Sequence, residues 1–159
     1  MAFSSTPQGY FSVTPYLLVN DTIGAMAFYA RAFGAVEIMR LDGPQHKIWH
    51  AEMQIGNARI MLADEFAETA IHCPHTLGGA GISLLVYVED VDAVFNQALT
   101  AGATKIRAVQ DQFYGDRSGT LRDPYGHIWS IATHKEDLSM QEIHSRSHAL
   151  LHKYKPSSN

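Results

Sequence analysis

Two halves of the chain repeat one pattern of strand, helix and turn, and this repeat limits the fold more than any other feature. Each matched position occupies the same place in its half. A shift of 68 residues places Leu17 on Leu85, Ala25 on Ala93, Ala30 on Ala98, and Gly34-Ala35 on Gly102-Ala103. Similarity at a fixed spacing, with elements in the same order, indicates an internal duplication. We therefore predict two copies of one structural unit.

The first copy is predicted to run strand, helix and three strands. Thr14–Val19 has the composition of a strand, Asn20-Asp21 can cap a helix that continues to about Phe33, and Gly34 suits the left-handed residue after it. Three strands follow, at Val36–Leu41, Lys47–Ile55 and Ala58–Ala63, the last two joined by a Gly56-Asn57 hairpin.

The strand at Lys47–Ile55 alternates, which assigns its side chains to two faces. We predict that Trp49, Ala51, Met53 and Ile55 pack against helices. The opposite face then carries Ile48, His50, Glu52 and Gln54. His50 and Glu52, two residues apart on one strand, point the same way.

The second copy repeats this order. Ser83–Val88 is an apolar strand, Glu89-Asp90 can cap a helix, and Gly102 ends it. Strands near Thr104–Val109, Gly119–Arg122 and His127–Thr133 complete the second β-α-β-β-β unit. Trp129 alternates with Ser130 and is predicted to belong to the core.

The predicted boundaries divide the chain into five parts. These are a flexible arm at 1–12, a first βαβββ module at 13–64, a loop at 65–81, a second module at 82–135, and a C-terminal helix and tail at 136–159. Ser139–Glu142 has the form of a capping box. The last helix carries an apolar stripe that must be buried against this subunit or another. The stripe consists of Met140, Ile143, Leu150, Leu151 and Tyr154.

Charge and composition exclude several classes of function. The formal net charge is −4 and no basic stripe stands out, which argues against nucleic-acid binding. The apolar runs are too short to span a bilayer, and the N-terminus lacks the pattern of a secretory signal. Cys73 is the single cysteine, so no internal disulfide framework exists. We predict a soluble cytoplasmic protein without a membrane partner.

Three stretches resemble the vicinal oxygen chelate superfamily, which contains glyoxalases, bleomycin-resistance proteins and extradiol dioxygenases. They are PYLLVNDTIGAMAFYARAFGA, SLLVYVEDVDAVFNQALTAGA and FYGDRSGTLRDPYGHIWSIATH, and the last is similar to the PhnB-like branch. The similarity covers about Val13–Lys135. It implies an α+β fold in which two βαβββ modules form curved mixed sheets around a cavity, followed by a C-terminal helix. It also implies a homodimer.

The resemblance places the usual metal ligands at four positions where this chain lacks them. Those positions are Thr14, Leu62, Ser83 (or Ile82) and Ser130. Divalent ions in such sites require imidazole nitrogen or carboxylate oxygen. No cofactor is therefore predicted, although a displaced divalent metal site stays open.

Candidate site residues follow from the predicted strand faces and, for Thr14, Ser83 and Ser130, from the cavity positions that the resemblance implies. His50 and Glu52 are candidates for a general base and its partner, or for ligands of a displaced metal; the alternative is a solvated sheet face. Ligand-binding candidates are Thr14, Tyr16, Ser83, Tyr87, Arg122 and Ser130. Arg117 and Arg122 could bind an anion or lie in a surface turn.

Two histidine-containing segments are predicted to have structural or solvated roles. His72-Cys73-Pro74-His75 lies in the inter-module loop and lacks structural-zinc spacing, which favours a coincidental loop over a metal site or a nucleophile. Because loops cover ligand cavities, His72 closing over the cavity stays open. His144, His148 and His152 share one helix face, which favours a solvated, pH-sensitive surface over a metal site.

The leading functional interpretation is binding of a small organic molecule in the cavity without the usual metal. The alternative is a lyase, isomerase or dioxygenase-type enzyme of the same superfamily, using acid-base chemistry at His50 and Glu52 or an unorthodox metal site. A role mainly in assembly is a third option.

Overall fold

The computed structural model describes residues 4–68 and 70–153 and contains the predicted duplication. The first module comprises β1 (Tyr16–Val19), α1 (Thr22–Phe33), β2 (Val36–Asp42), β3 (Ile48–Ile55) and β4 (Ala58–Asp64), with a short 3₁₀ turn at Pro44–His46. A short helix, α2 (Pro74–Leu77), lies within the predicted loop. The second module comprises β5 (Ser83–Tyr87), α3 (Val91–Ala101), β6 (Thr104–Asp111), β7 (Asp116–Arg122) and β8 (Ile128–His134), and α4 (Met140–Lys153) follows.

Both long module helices begin with an aspartate cap and end at a glycine with positive φ. The Asp21 side chain accepts a hydrogen bond from the Gly24 amide at 2.9 Å, and Asp90 does the same for Ala93 at 3.0 Å. Such caps satisfy amides that have no partner within the helix. Helix α1 ends at Gly34, whose φ of 66° lies in the left-handed region where glycine is favoured.

Each module forms one four-stranded mixed sheet. The strand orders are β1-β4-β3-β2 and β5-β8-β7-β6, and neither sheet closes on itself. The first strand of each module runs parallel to the last, and the remaining pairs are antiparallel. This is the predicted α+β fold of two βαβββ modules.

One face of each sheet packs against the helices and forms the core. In the first module Leu17, Ala51 and Leu62 are fully buried, and Leu121 and Ile131 are equally buried in the second. Because side chains alternate along a strand, the next residues lie on the opposite face. We call that opposite face the hollow face of each sheet.

The modules are joined through α1, α3 and a buried carboxylate. Asp123, from the turn before β8, accepts hydrogen bonds from the Tyr29 hydroxyl at 2.6 Å and the Trp129 indole at 2.9 Å. The His127 ring, also buried, contacts the Leu18 carbonyl oxygen at 3.0 Å. Trp129 is 3% exposed, which confirms its predicted place in the core.

The predicted packing of Trp49 against the helices is wrong. Its side chain is 59% exposed, whereas Ile48 is 2% exposed. The pairing of β2 with β3 shifts here, since Leu41 pairs with His50 but Asp42 pairs with Ile48. Trp49 is thus the extra residue of a β-bulge, which changes the direction of its side chain. The predicted alternation holds from His50 onward.

Helix α4 begins as predicted, with the Ser139 hydroxyl accepting from the Glu142 amide at 3.1 Å. Arg146 links it to Glu136 and Glu142 through ion pairs. Two residues of the apolar stripe, Met140 and Leu151, are 67% and 63% exposed. Tyr154 lies outside the described residues, as does the side chain of His152. No helix in residues 4–68 and 70–153 has the length and hydrophobicity of a membrane span.

Candidate functional site on the hollow faces

The hollow face of the first sheet brings together three of the predicted site residues. Register places Tyr16 opposite Met61, and Met61 opposite Glu52. His50 lies on the same face of β3, two residues before Glu52. The catalytic candidates and the ligand-binding candidate Tyr16 therefore lie on adjoining positions of one surface.

A chain of hydrogen bonds connects these side chains. The Tyr16 hydroxyl lies 3.0 Å from His50 Nδ1, and His50 Nε2 lies 3.1 Å from a Glu52 carboxylate oxygen. The other Glu52 oxygen accepts from the hydroxyl of Tyr10, whose ring also covers the Arg59 guanidinium. Because a carboxylate can only accept, a neutral His50 carries its proton on Nε2 and accepts from Tyr16 at Nδ1.

The pKa shifts in this hydrogen-bonded group favour an ionised Glu52 and a neutral Tyr16. The Tyr10 hydrogen bond, aided by His50, lowers the pKa of Glu52 although burial opposes the shift. Burial raises the pKa of Tyr16, so its hydroxyl stays protonated. The arrangement is an ionised carboxylate that orients an imidazole, which in turn contacts a phenol. It can bind a polar group or move a proton.

A pocket of about 720 Å³ lies beside this chain. Its walls are mainly apolar and aromatic, including Tyr16, Leu18, Trp49 and Phe66. Lys47 contributes a positive charge: its amine donates to the Glu65 carbonyl at 2.8 Å and lies 5.1 Å from the centre of the Phe66 ring. Apolar walls with a few polar groups are typical of small-molecule sites.

The hollow face of the second sheet holds four further candidates. Ser83, Tyr87 and Arg122 are exposed and Ser130 is half-buried. The Ser130 hydroxyl lies 3.3 Å from that of Thr120, which accepts from Arg107 at 3.2 Å. At the other end of the face, the Tyr87 hydroxyl donates to Asp116 at 2.8 Å, and this bond raises the pKa of Tyr87.

The predicted site residues do not share one pocket. Tyr16 lines the pocket of the first sheet, Arg122 lines a separate depression with Asp123 and Gly126, and Tyr87 lines a groove of about 950 Å³ between the modules. Thr14 precedes β1, and its hydroxyl contacts the Phe11 carbonyl at 3.4 Å. That all of them act in one site stays a prediction.

The four positions that the resemblance aligns with metal ligands do not fit a metal ion of the usual kind. Leu62 is buried in the core and faces the helices; its neighbours Met61 and Ala63, on the hollow face, offer neither imidazole nor carboxylate. Thr14, Ser83 and Ser130 offer neutral hydroxyls. Within residues 4–68 and 70–153, no three His, Cys, Asp or Glu side chains are grouped so as to hold an ion.

A hydrogen-bonded cluster around Cys73 lies at the N-terminal end of α2. Glu65 accepts from the Cys73 amide at 2.9 Å and the Thr76 hydroxyl at 2.8 Å, and contacts His72 Nδ1 at 2.7 Å. The Cys73 side chain and amide, together with Thr76 and His72, lower the pKa of Glu65 to about 2. The Cys73 side chain is 2% exposed, so the segment does not present an accessible thiol.

Sequence reasoning missed Tyr10, Trp49, Arg107 and Thr120. The contact between Tyr10 and Glu52 joins residues 42 positions apart, for which the sequence gives no local signal. The bulge at Trp49 similarly depends on strand pairing. Thr120 could have been found, because it lies two residues before the candidate Arg122 on the same strand and therefore shares its face.

Comparison with known proteins identifies the family. The family model of the Glyoxalase/Bleomycin resistance protein/Dioxygenase superfamily matches residues 10–131. The chain belongs to this superfamily. It is 40% identical over 135 residues to an uncharacterized protein of Mycobacterium bovis, a match covering 83% of this chain and 89% of that protein.

Two solved structures of the superfamily fold resemble this chain along most of its length. TioX from Micromonospora sp. ML1 matches with a TM-score of 0.61 and 25% identity, covering 81% of this chain and 100% of TioX. The PhnB protein of Bacillus cereus matches with a TM-score of 0.60 and 19% identity, covering 77% of this chain and 99% of that one. The predicted resemblance to the superfamily and to PhnB-like proteins is thus confirmed.

Proposed function

We propose that this superfamily member binds a small organic molecule on its hollow faces without the customary metal ion. The observation that carries the proposal is the pocket of the first sheet, which Trp49 and Tyr16 line and where Tyr16 is hydrogen-bonded to His50 and, through it, to Glu52. Trp49 and Tyr16 are 59% and 49% exposed, so a ligand there would cover apolar surface. The polar chain would orient it.

We further propose that the protein acts as a cytoplasmic homodimer. Large apolar side chains remain exposed on the hollow faces and on α4, among them Leu85 and Tyr87 at 51% and 61% and Leu151 at 63%. A second copy would cover part of this surface. Burial of apolar area is the main driving force for such association. Covering the hollow faces would also turn open pockets into enclosed ones.

A second candidate function is acid-base catalysis at His50 and Glu52, which Tyr16 links to the pocket of the first sheet. The Tyr16, His50 and Glu52 contacts favour it, because a carboxylate-oriented imidazole is a competent general base. An enzyme of the lyase or isomerase type would change the bound molecule chemically. Recovery of an unaltered ligand after long incubation with native protein would count against this candidate.

The proposal predicts that neutral aromatic molecules bind to protein treated with a chelator. We expect indole and benzamide to receive saturation transfer in ligand-observed NMR, and EDTA to leave the signal unchanged. Trp49→Ala should weaken binding by about fivefold or more, because a stacked aromatic contact is lost. Ile23→Ala, which removes a side chain 52% exposed on α1, is the matched control.

Two outcomes would contradict this prediction. If Trp49→Ala and Ile23→Ala bind the probes equally, the pocket of the first sheet is not the site. If EDTA abolishes binding and a divalent cation restores it, binding depends on a metal.

A further inference from the structure

We propose that the hollow face of the second sheet contains an anion-binding subsite formed by Arg107, Thr120 and Ser130. It would take the carboxylate, phosphonate or phosphate group of a small organic molecule. This inference rests on the proposed function and deepens it, because it assigns the ligand to the class of organic anions.

Strand register places the three side chains in one row. Arg107 pairs with Thr120 across β6 and β7, Thr120 pairs with Ser130 across β7 and β8, and Ser130 pairs with Leu85 on β5. Residues directly opposite on a sheet face have neighbouring side chains. The contacts confirm this, at 3.2 Å from Arg107 to Thr120 and 3.3 Å from Thr120 to Ser130.

The arginine of this row lacks a carboxylate partner in the described part of the chain. There the arginine ion pairs involve Arg40, Arg117 and Arg146. Arg107 instead donates to a neutral hydroxyl through one nitrogen. A guanidinium has five N–H donors in a fixed fork, so most of its capacity remains for a two-oxygen anion.

A second arginine lies on the same face, and the carboxylate of that face already has partners. Arg122 lies on the same face in the adjacent row, where it pairs with Ile128 and Thr104. The carboxylate of Asp116, farther along the face, is already bonded to Tyr87 and His134. The Thr120 side chain is 7% exposed, so its hydroxyl is held in place beneath the arginine.

Leu85 supplies the apolar surface of the subsite. It ends the row next to Ser130 and is 51% exposed. An anion held by the guanidinium and hydroxyls would therefore lay its hydrocarbon portion over Leu85. An inorganic anion has no hydrocarbon portion to cover Leu85, which is why we infer an organic anion.

The test is an NMR titration of ¹⁵N-labelled full-length protein with benzoate, phenylphosphonate and neutral benzamide. We expect both anions to shift amides of β7 and β8 and to bind at least about tenfold more tightly than benzamide, because charge-assisted hydrogen bonds are the strong ones. Arg107→Gln should remove this preference. Ser130→Ala should reduce benzoate affinity several-fold and leave benzamide binding unchanged.

Lys105→Gln is the matched control, since it removes the same charge from the same strand. Lys105 pairs with the buried Leu121, so it lies on the opposite face. We expect it to alter benzoate affinity by less than about twofold.

Three results would overturn the inference: equal binding of benzoate and benzamide, equal losses for Arg107→Gln and Lys105→Gln, or shifts confined to the first sheet. The last result would leave the proposed function intact. If no probe shifts the amides of either sheet, both the subsite and the proposed function fail.

Discussion

Asp123→Ala is expected to destabilise the protein by about 3–5 kcal/mol, because it removes the buried acceptor that joins the two modules. The side chain is 3% exposed and accepts from Tyr29, Trp129 and the amides of Tyr125 and His127. Each donor left buried without a partner costs free energy. Burial and the nearby carboxylate raise the pKa of Tyr29, which keeps its hydroxyl a donor. Urea unfolding, monitored by circular dichroism, measures this loss of stability.

Asp42→Ala is the control for Asp123→Ala. The Asp42 side chain is 80% exposed and pairs with Arg40 at 3.6 Å. We expect its loss to change the free energy of unfolding by less than about 0.5 kcal/mol, since exposed pairs contribute little. The loss of stability caused by Tyr29→Phe should lie between those of Asp123→Ala and Asp42→Ala. Equal midpoints for Asp123→Ala and Asp42→Ala would show that the buried carboxylate does not join the modules.

Leu62→Glu is expected to be the most damaging single substitution considered, with a loss of about 4 kcal/mol or more or failure to fold. Leu62 is fully buried among the helix-facing residues of β4, where a carboxylate would have neither water nor a cation. A buried carboxylate without a partner either pays its full desolvation cost or becomes protonated. Thermal and urea unfolding, or the soluble yield, would show the effect.

Met61→Glu provides the matched control, because it places the same side chain one residue away on the opposite face. Met61 is half-buried on the hollow face between Tyr16 and Glu52. We expect a loss of about 1 kcal/mol, mostly from repulsion by Glu52. A loss for Met61→Glu as large as for Leu62→Glu would mean that the two faces of β4 have been assigned wrongly.

The sequence predicted the architecture well because the duplicated pattern is local and periodic. Both helix caps, the glycines that end the helices, and the face shared by His50 and Glu52 follow from spacing within one element. Trp129 was correctly placed in the core because it alternates along β8. These features depend on hydrogen bonds and side-chain direction over a few residues.

The site was less predictable because its contacts join distant parts of the chain. Tyr10 reaches Glu52 from before the first module, and Tyr29 reaches Asp123 across 94 residues. The bulge at Trp49 arises from pairing between two strands, and it moves an aromatic side chain from the expected core into the pocket wall. Alternation within a single strand cannot reveal such shifts.

Native mass spectrometry of the protein purified without chelator tests the central claim most directly, since it reports subunits, ions and bound molecules together. Each chain has a mass of 17.6 kDa. We predict a species of two chains without stoichiometric metal, carrying a small organic molecule that is released on activation. A stoichiometric zinc, nickel, manganese or iron ion on every chain, lost in His50→Ala, would contradict the account.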